Sequence, residues 1–352
     1  MNTDIALIRN TQHASGAYPA SPDFSQYPYC WLRDGSFIAY AMDRAKVHAS
    51  ARAFHLWAAR AIQAQSSHIE QLIERAQKGE VIPQNAFLPA RYTLEGQWKE
   101  DGWPNFQLDG YGQWLWSLGE HLRLSGESGL PDLLAPAVDL TLGYLRQFWA
   151  EPCYDAWEEN PSRLHTATLA SIYGGMMAMV PYRPEALETA QAVRRVILEE
   201  CIQGGRFVKF IGNPAVDASL LWVSTPFGVV GENDPLMQAT TAEIEHCLLW
   251  AGGLLRYASD TYYGGGAWLL LTAWLGWYYA RLDNPERARE CLAWVESQRN
   301  AWGHLPEQVP VSNTNARFLA YWTRQWGSSA CPLLWSHAMR LVLRAELSRT
   351  KC

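Results

Sequence analysis

Apolar residues recur at intervals of three and four along almost the whole chain, and that periodicity confines it to a helical fold. Residues 47–78 read as one long helix, with Ala53, Leu56, Trp57, Ala61, Ile69, Leu72 and Ile73 at helical spacing and Gly79 as its stop. Further helices are expected at 1–12, 35–45, 110–124, 131–149, 163–180, 184–203, 217–225, 234–250, 265–282, 285–299 and 328–348. Asn284 and Asp234 each stand before a proline, the pattern of an N-cap ahead of a first-turn proline. Strand signals are thin; 206–211 is the best, and it is short. No composition break and no Pro/Ser/Gly linker divides the 352 residues, so they read as one domain. About twelve helices of irregular period do not make a solenoid, but they suit a double ring with inner and outer layers. The inner helices of such a ring are apolar nearly all round, as Ala267 to Tyr279 is.

The connections between helices alternate short and long. The long ones, 13–33, 80–109, 150–162, 251–264 and 300–327, are rich in Trp, Tyr, Pro, Gly and carboxylates. Connections of that length are usually functional. In a double ring they gather at one end and line a pocket on the axis. The 18 Trp outnumber the 10 Phe. They fit either a Trp-rich core or aromatic platforms for a ligand with an apolar face and a wet rim.

Charge narrows the partners. The net charge is −6 and no block of like charges occurs, which argues against a nucleic-acid groove or a membrane-surface patch. The apolar run 267–280 is shorter than a membrane span. The seven Cys are scattered without a CxxC pair, and no secretory signal follows Met1, so reduced thiols and a cytoplasmic location are expected.

Chemistry-bearing residues fall in the long connections. Arg33 and Asp34 stand just before a helix, either as a cap with a local ion pair or as a clamp for vicinal hydroxyls; in both readings Asp34 stays ionised. Trp103 and Asp109 lie in a loop feeding a helix, as a packed ring and a cap or as ligand contacts. Glu158 and Glu159 follow Trp157; one of two such neighbours is ordinarily solvated, but burial of both lifts one pKa into the range of a general acid. Glu307 lies in the loop Gly303–Gln308, and Arg256, Tyr257, Asp260, Tyr262, Tyr263 and Trp268 cluster in 256–268. Gly264–Gly266 lacks the phosphate-loop frame and follows no strand. HExxH, GxSxG and the Asp-rich clusters of a metal-dependent cyclase are absent from the sequence. No cofactor or metal is expected. Distant carboxylates, Trp platforms and an Arg–Asp clamp together suggest carbohydrate chemistry.

Seven ordered runs carry a resemblance: Tyr29–Asp34, Phe106–Tyr111, Trp157–Glu159, Asp217–Leu221, Arg256–Tyr257 with Asp260–Tyr263, Pro306–Gln308 and Pro332–His337. With them the chain resembles the glucoamylase family of glycoside hydrolases, family 15, from Ile8 to about Arg344. The resemblance implies an all-α, (α/α)6 barrel. It implies an inverting, exo-acting hydrolase that takes glucose from nonreducing ends of α-1,4- or α-1,6-linked gluco-oligosaccharides. Glu158 resembles the family's general acid, expected to point at the glycosidic oxygen and to carry the raised pKa of the pair, and Glu307 resembles its general base. Tyr27, Trp31, Arg33, Asp34, Trp103, Trp157, Glu159 and Arg256 are the expected substrate-binding residues, with Glu159 ionised and bonded to sugar hydroxyls. Inversion requires carboxylates roughly 6.5–9.5 Å apart, so that a water fits. The chain starts almost at the barrel, without the modules many relatives carry, so a soluble oligosaccharide is the expected substrate rather than starch granules. The alternatives are a trehalase of the same family and a noncatalytic relative; the presence of both Glu158 and Glu307 favours the enzyme.

Overall fold

In the computed structural model the chain winds into paired helices, and the structure describes residues 3–349. The α-helices are α1 (Thr3–Thr11), α2 (Leu32–Arg44), α3 (His48–Gln63), α4 (Ser66–Gln77), α5 (Asp109–Ser125), α6 (Ala135–Phe148), α7 (Thr166–Met179), α8 (Ala186–Glu200), α9 (Pro235–Leu248), α10 (Leu269–Arg281), α11 (Pro285–Ser297), α12 (Ala316–Trp326) and α13 (Leu334–Arg349). A 3-10 helix, Ala218–Val223, lies between α8 and α9. The start of the expected 1–12 helix and Cys352 lie outside the described residues.

Burial sorts these elements into two layers. Helices α2, α5, α7, the 3-10 helix, α10 and α13 are buried on almost every side. Each packs on the next, and α13 closes back on α2. In α10 only Tyr279 and Arg281 escape full burial, as its nearly unbroken apolar sequence dictates. Helices α1, α3, α6, α8, α9 and α11 bury a single stripe each and form the outer layer. The result is the (α/α)6 barrel expected from the sequence. Glycine sets one close approach within it. A methyl on Gly175 of α7 would stand 2.2 Å from the Gly112 carbonyl oxygen of α5, so these two inner helices meet backbone to backbone.

The elements depart from the sequence reading in three places. The helix expected over 47–78 is broken at Ala64 and Gln65 into α3 and α4, with no Gly or Pro to announce it. The segment 217–225 takes an inner-ring position but winds as a 3-10 helix, started by Asp217, whose carboxylate accepts from the Ser219 N–H at 2.8 Å. The connection 300–327 contains a helix, α12, capped by Asn315. The expected N-caps are present, with Asn284 and Asp234 each accepting a first-turn N–H.

Strands are two-residue staples. β1 (Cys30–Trp31) pairs with β2 (Arg91–Tyr92), and β3 (Ile202–Gln203) with β4 (Arg206–Phe207), all that forms of the expected 206–211 strand. β5 (Leu249–Trp250), β6 (Gly253–Leu254), β7 (Ala267–Trp268) and β8 (Gln308–Val309) make an antiparallel sheet in chain order. Their register matters for the site, because Trp268 pairs with Gln308 and so brings the 251–268 connection against Glu307. Among the described residues no helix is long and apolar enough to cross a membrane.

Candidate active site

The long connections meet at one end of the barrel around a cavity of about 380 Å³, near the lower end of the roughly 300–1,000 Å³ usual for small-molecule pockets. Each of the five contributes: Tyr27 and Trp31 from 13–33, Trp103 from 80–109, Trp157–Glu159 from 150–162, Arg256 from 251–264, and Glu307 from 300–327. With Arg33 and Asp34 these are the ten residues expected to act in catalysis or substrate binding, and all ten line this one cavity, whereas Asp109, Tyr257, Asp260 and Tyr263 do not. Seven of the 18 Trp line it, while Trp57, Trp114, Trp222, Trp274 and Trp277 are core, so the Trp content divides between the core and the cavity wall.

Arg33 and Asp34 occupy the first turn of α2 rather than the residues before it. The Arg33 guanidinium gathers polar groups from three segments. Its Nη1 donates to Gln107 Oε1 at 2.7 Å and to Asp109 Oδ2 at 3.1 Å, and its Nη2 stands 3.7 Å from Glu158 Oε1. Asp34 lies 3.8 Å from Arg33 Nε. The expectation that Asp34 simply stays ionised is corrected here. Burial pushes its carboxyl up to about 7, against the pull of Arg33 and with a further push from Glu158.

The turn that carries Glu158 and Glu159 is built by Asp155. Its Oδ1 accepts from the N–H groups of Trp157 and Glu159, both at 2.9 Å, and the Glu158 N–H closes on the Asp155 carbonyl at 2.9 Å. Glu158 itself has φ of +67°, a left-handed conformation that a non-glycine residue adopts only when its surroundings impose it. Its Oε1 accepts from Trp31 Nε1 at 2.8 Å and Gln107 Nε2 at 3.2 Å. These donors and Arg33 all converge on Oε1, which leaves Oε2 as the oxygen for a ligand.

Glu159 turns the other way. Both its oxygens accept from the Tyr257 hydroxyl, at 2.9 and 2.7 Å, and Arg256 Nη2 is 3.7 Å away. Burial raises its pKa, opposed by Arg256 and Tyr257, which corrects the expectation that Glu159 simply stays ionised. Arg256 is itself fixed by a two-pronged pair with Asp260, at 2.7 and 2.5 Å, and is ringed by Trp157, Tyr257, Tyr262 and Trp268.

Glu307 is 2% exposed. Its backbone is pinned between strands of chain, with its N–H on the Ala330 carbonyl at 2.8 Å and its carbonyl accepting from the Leu269 N–H at 3.3 Å. Ser329 donates to its Oε2 at 3.2 Å. Burial pushes the carboxyl up to about 7, with Arg256 the chief opposing group. The Tyr27 and Tyr262 hydroxyls meet at 2.8 Å beside it.

Some lining residues were not expected at the site. Trp322 and Trp326 come from α12, inside a segment expected to be irregular, and Trp335, from the Pro332–His337 run, opens α13. Lys209 touches the site residues without belonging to a recognisable pattern, and Gln107, inside the Phe106–Tyr111 run, was not expected to bond Glu158. Among the described residues, one grouping has metal-ligand spacing: Asp43, His55 and His121, from α2, α3 and α5. None of the three lines the cavity.

Comparison with known proteins shows the family. Residues 1–323 match the family model of Glycosyl hydrolases family 15. The chain is 40% identical, over 97% of its length and 91% of the relative's, to an isomaltose glucohydrolase of Kribbella flavida. A solved structure of a glycosidase superposes with a TM-score of 0.95 at 39% identity, covering 98% of this chain and 95% of that one. A glutamate-to-alanine variant, solved in complex with glucose, superposes equally well. The glucoamylase of Saccharomycopsis fibuligera, at 16% identity, shares the fold with a TM-score of 0.76 over 99% of this chain and 94% of that one. The chain therefore belongs to glycosyl hydrolases family 15 and is a glycoside hydrolase.

Proposed function

We propose that the protein is an inverting exo-α-glucosidase that removes the nonreducing-end glucose from short gluco-oligosaccharides, with isomaltose as its preferred substrate. The observation that carries this reading is the pairing of Glu158 and Glu307 on one small cavity with contrasting surroundings. Glu158 is held by donors on Oε1 alone, so Oε2 is free to hold a proton against the glycosidic oxygen. As the bond to C1 breaks, that proton goes to the departing sugar, and Trp31, Gln107 and Arg33 stabilise the carboxylate left behind. Glu307 accepts a proton from the water that attacks C1 from the opposite face. Its pKa near 7 suits a base working around neutral pH. The product is β-glucose.

The other lining groups hold the sugar. Arg33, Asp34, Glu159 and Arg256 offer donors and acceptors to hydroxyls of the terminal glucose. Buried polar groups of this kind discriminate strongly, because an analogue lacking the matched hydroxyl leaves them unpaired. The preference for an α-1,6 link is drawn from the isomaltose glucohydrolase that shares 40% of the sequence.

The test is glucose release from isomaltose, maltose, panose and trehalose in parallel. Isomaltose is expected to be cleaved fastest. Cleavage of trehalose alone would favour the trehalase alternative, and no release from any of the four would favour a noncatalytic role.

A further inference from the structure

Lys209 lies behind the acid turn, outside the lining of the cavity, and is 8% exposed. Its ammonium is 3.5 Å from Asp155 Oδ2 and 3.1 Å from Asp217 Oδ2. It also sits over the Tyr257 ring, 3.8 Å from the centroid. Each of these three partners does something specific to the site. Asp155 is the carboxylate around which the 155–159 turn is wound. Asp217 accepts the Trp157 indole N–H, at 3.0 and 2.8 Å to its two oxygens, and so fixes the ring between the acid and Arg256. Tyr257 directs its hydroxyl at both oxygens of Glu159.

We infer that Lys209 is a positioning residue for the general acid: one buried ammonium holds the two carboxylates that shape the turn of Glu158 and orients the ring that binds Glu159. The inference rests on the glucosidase reading above. Burying an ammonium costs several kcal/mol of desolvation, so a buried ion cluster is weak ground for stability and better explained by what it fixes. What it fixes is unfavourable without help, since Glu158 is held at φ of +67°. The backbone of Lys209 is itself anchored, its N–H on the Ala215 carbonyl at 2.9 Å and its carbonyl accepting from the Thr166 N–H at 3.2 Å. The cation is thus delivered from the α8 to 3-10 connection, a part of the chain with no other role at the cavity. A displacement of about 1 Å in a catalytic group can cost around 10²-fold in rate, so small relaxations of this turn are readable in kinetics.

The experiment compares isomaltose with α-glucosyl fluoride, whose leaving group needs little protonation, in wild type, Lys209→Met and Lys209→Arg. Wild-type turnover of both substrates tests the glucosidase reading itself; if wild type cleaves neither, that reading fails and the variants are not at issue. Given active wild type, Lys209→Met is expected to lose at least about tenfold more kcat on isomaltose than on the fluoride, because only the former needs a well-placed acid. Lys209→Arg, which keeps the charge, is expected to recover most of the difference. Equal losses on both substrates, no loss, or an arginine variant as selective in its defect as the methionine variant would overturn the inference. If Lys209→Met does not fold, Lys209→Met combined with Asp217→Asn removes one charge of each sign and is read by the same ratio.

Discussion

Glu307 and Asp34 are carboxyls that burial holds near pH 7, and that sets the expected pH response. A base must be ionised to accept a proton. With its pKa raised to about 7, Glu307 is increasingly protonated as the pH falls below that value. The kcat/KM for isomaltose is therefore expected to fall on the acid side with an apparent pKa around 7. A plateau reaching down to pH 5 would contradict it. Glu307→Gln, which cannot take the proton, is expected to lower kcat by about 10²–10⁴-fold with little change in binding. The adjacent pair separates by leaving group. Glu158→Gln is expected to abolish isomaltose cleavage while partly sparing α-glucosyl fluoride, and Glu159→Gln chiefly to raise KM. The reverse pattern would mean that their roles are exchanged. At this scale the sequence was informative wherever a residue sat in a patterned run, as Arg33, Glu158 and Glu307 do. It was silent on Lys209, which reaches Asp155 from a strand connection, and on the bond that Gln107, although inside the Phe106–Tyr111 run, makes across 51 residues to Glu158. No local pattern encodes such partners.

Among the elements, the inner helices were the most legible, because a helix apolar on every side, such as α10, has only one place to go. The break between α3 and α4 was not, since Ala64 and Gln65 carry no breaker chemistry and the turn is imposed by packing. Helix α12 was missed for another reason. It buries no residue completely, so it lacks a core stripe, yet it turns Trp322 and Trp326 into the cavity. Trp322 is moored by its indole N–H on the Thr261 carbonyl at 3.0 Å and packs on Tyr262. A platform added at the rim by an exposed helix belongs to the second sugar rather than the first. Trp322→Ala is accordingly expected to raise KM for isomaltose several-fold and to leave KM for α-glucosyl fluoride, which has no second sugar, unchanged. Equal increases for both would place Trp322 against the terminal glucose instead.

For the whole molecule, ring closure depends on the ends of the chain. Asp4 of α1 is fully buried against α13, where it meets His337 at 2.8 Å and Arg340, and it also meets Arg299 beyond α11. Those partners lower its pKa from 3.8 to about 2 despite burial. A carboxyl depressed in this way contributes stability that is complete above its unfolded value and is lost as the pH falls from about 4 towards 2. The gap in Tm between wild type and Asp4→Asn is thus expected to narrow as the pH falls from about 4 towards 2. A gap that widens over that interval would contradict the assignment. The ring itself was legible from helix count and alternating loop length, and the convergence of the long connections at one end followed from it. The central claim is that Glu158 and Glu307 act from opposite faces of one bond. It is tested most directly by following the anomeric proton signals of glucose as isomaltose is hydrolysed. The β-anomer is expected to appear first and to mutarotate to the equilibrium mixture afterwards; initial release of the α-anomer would contradict the account.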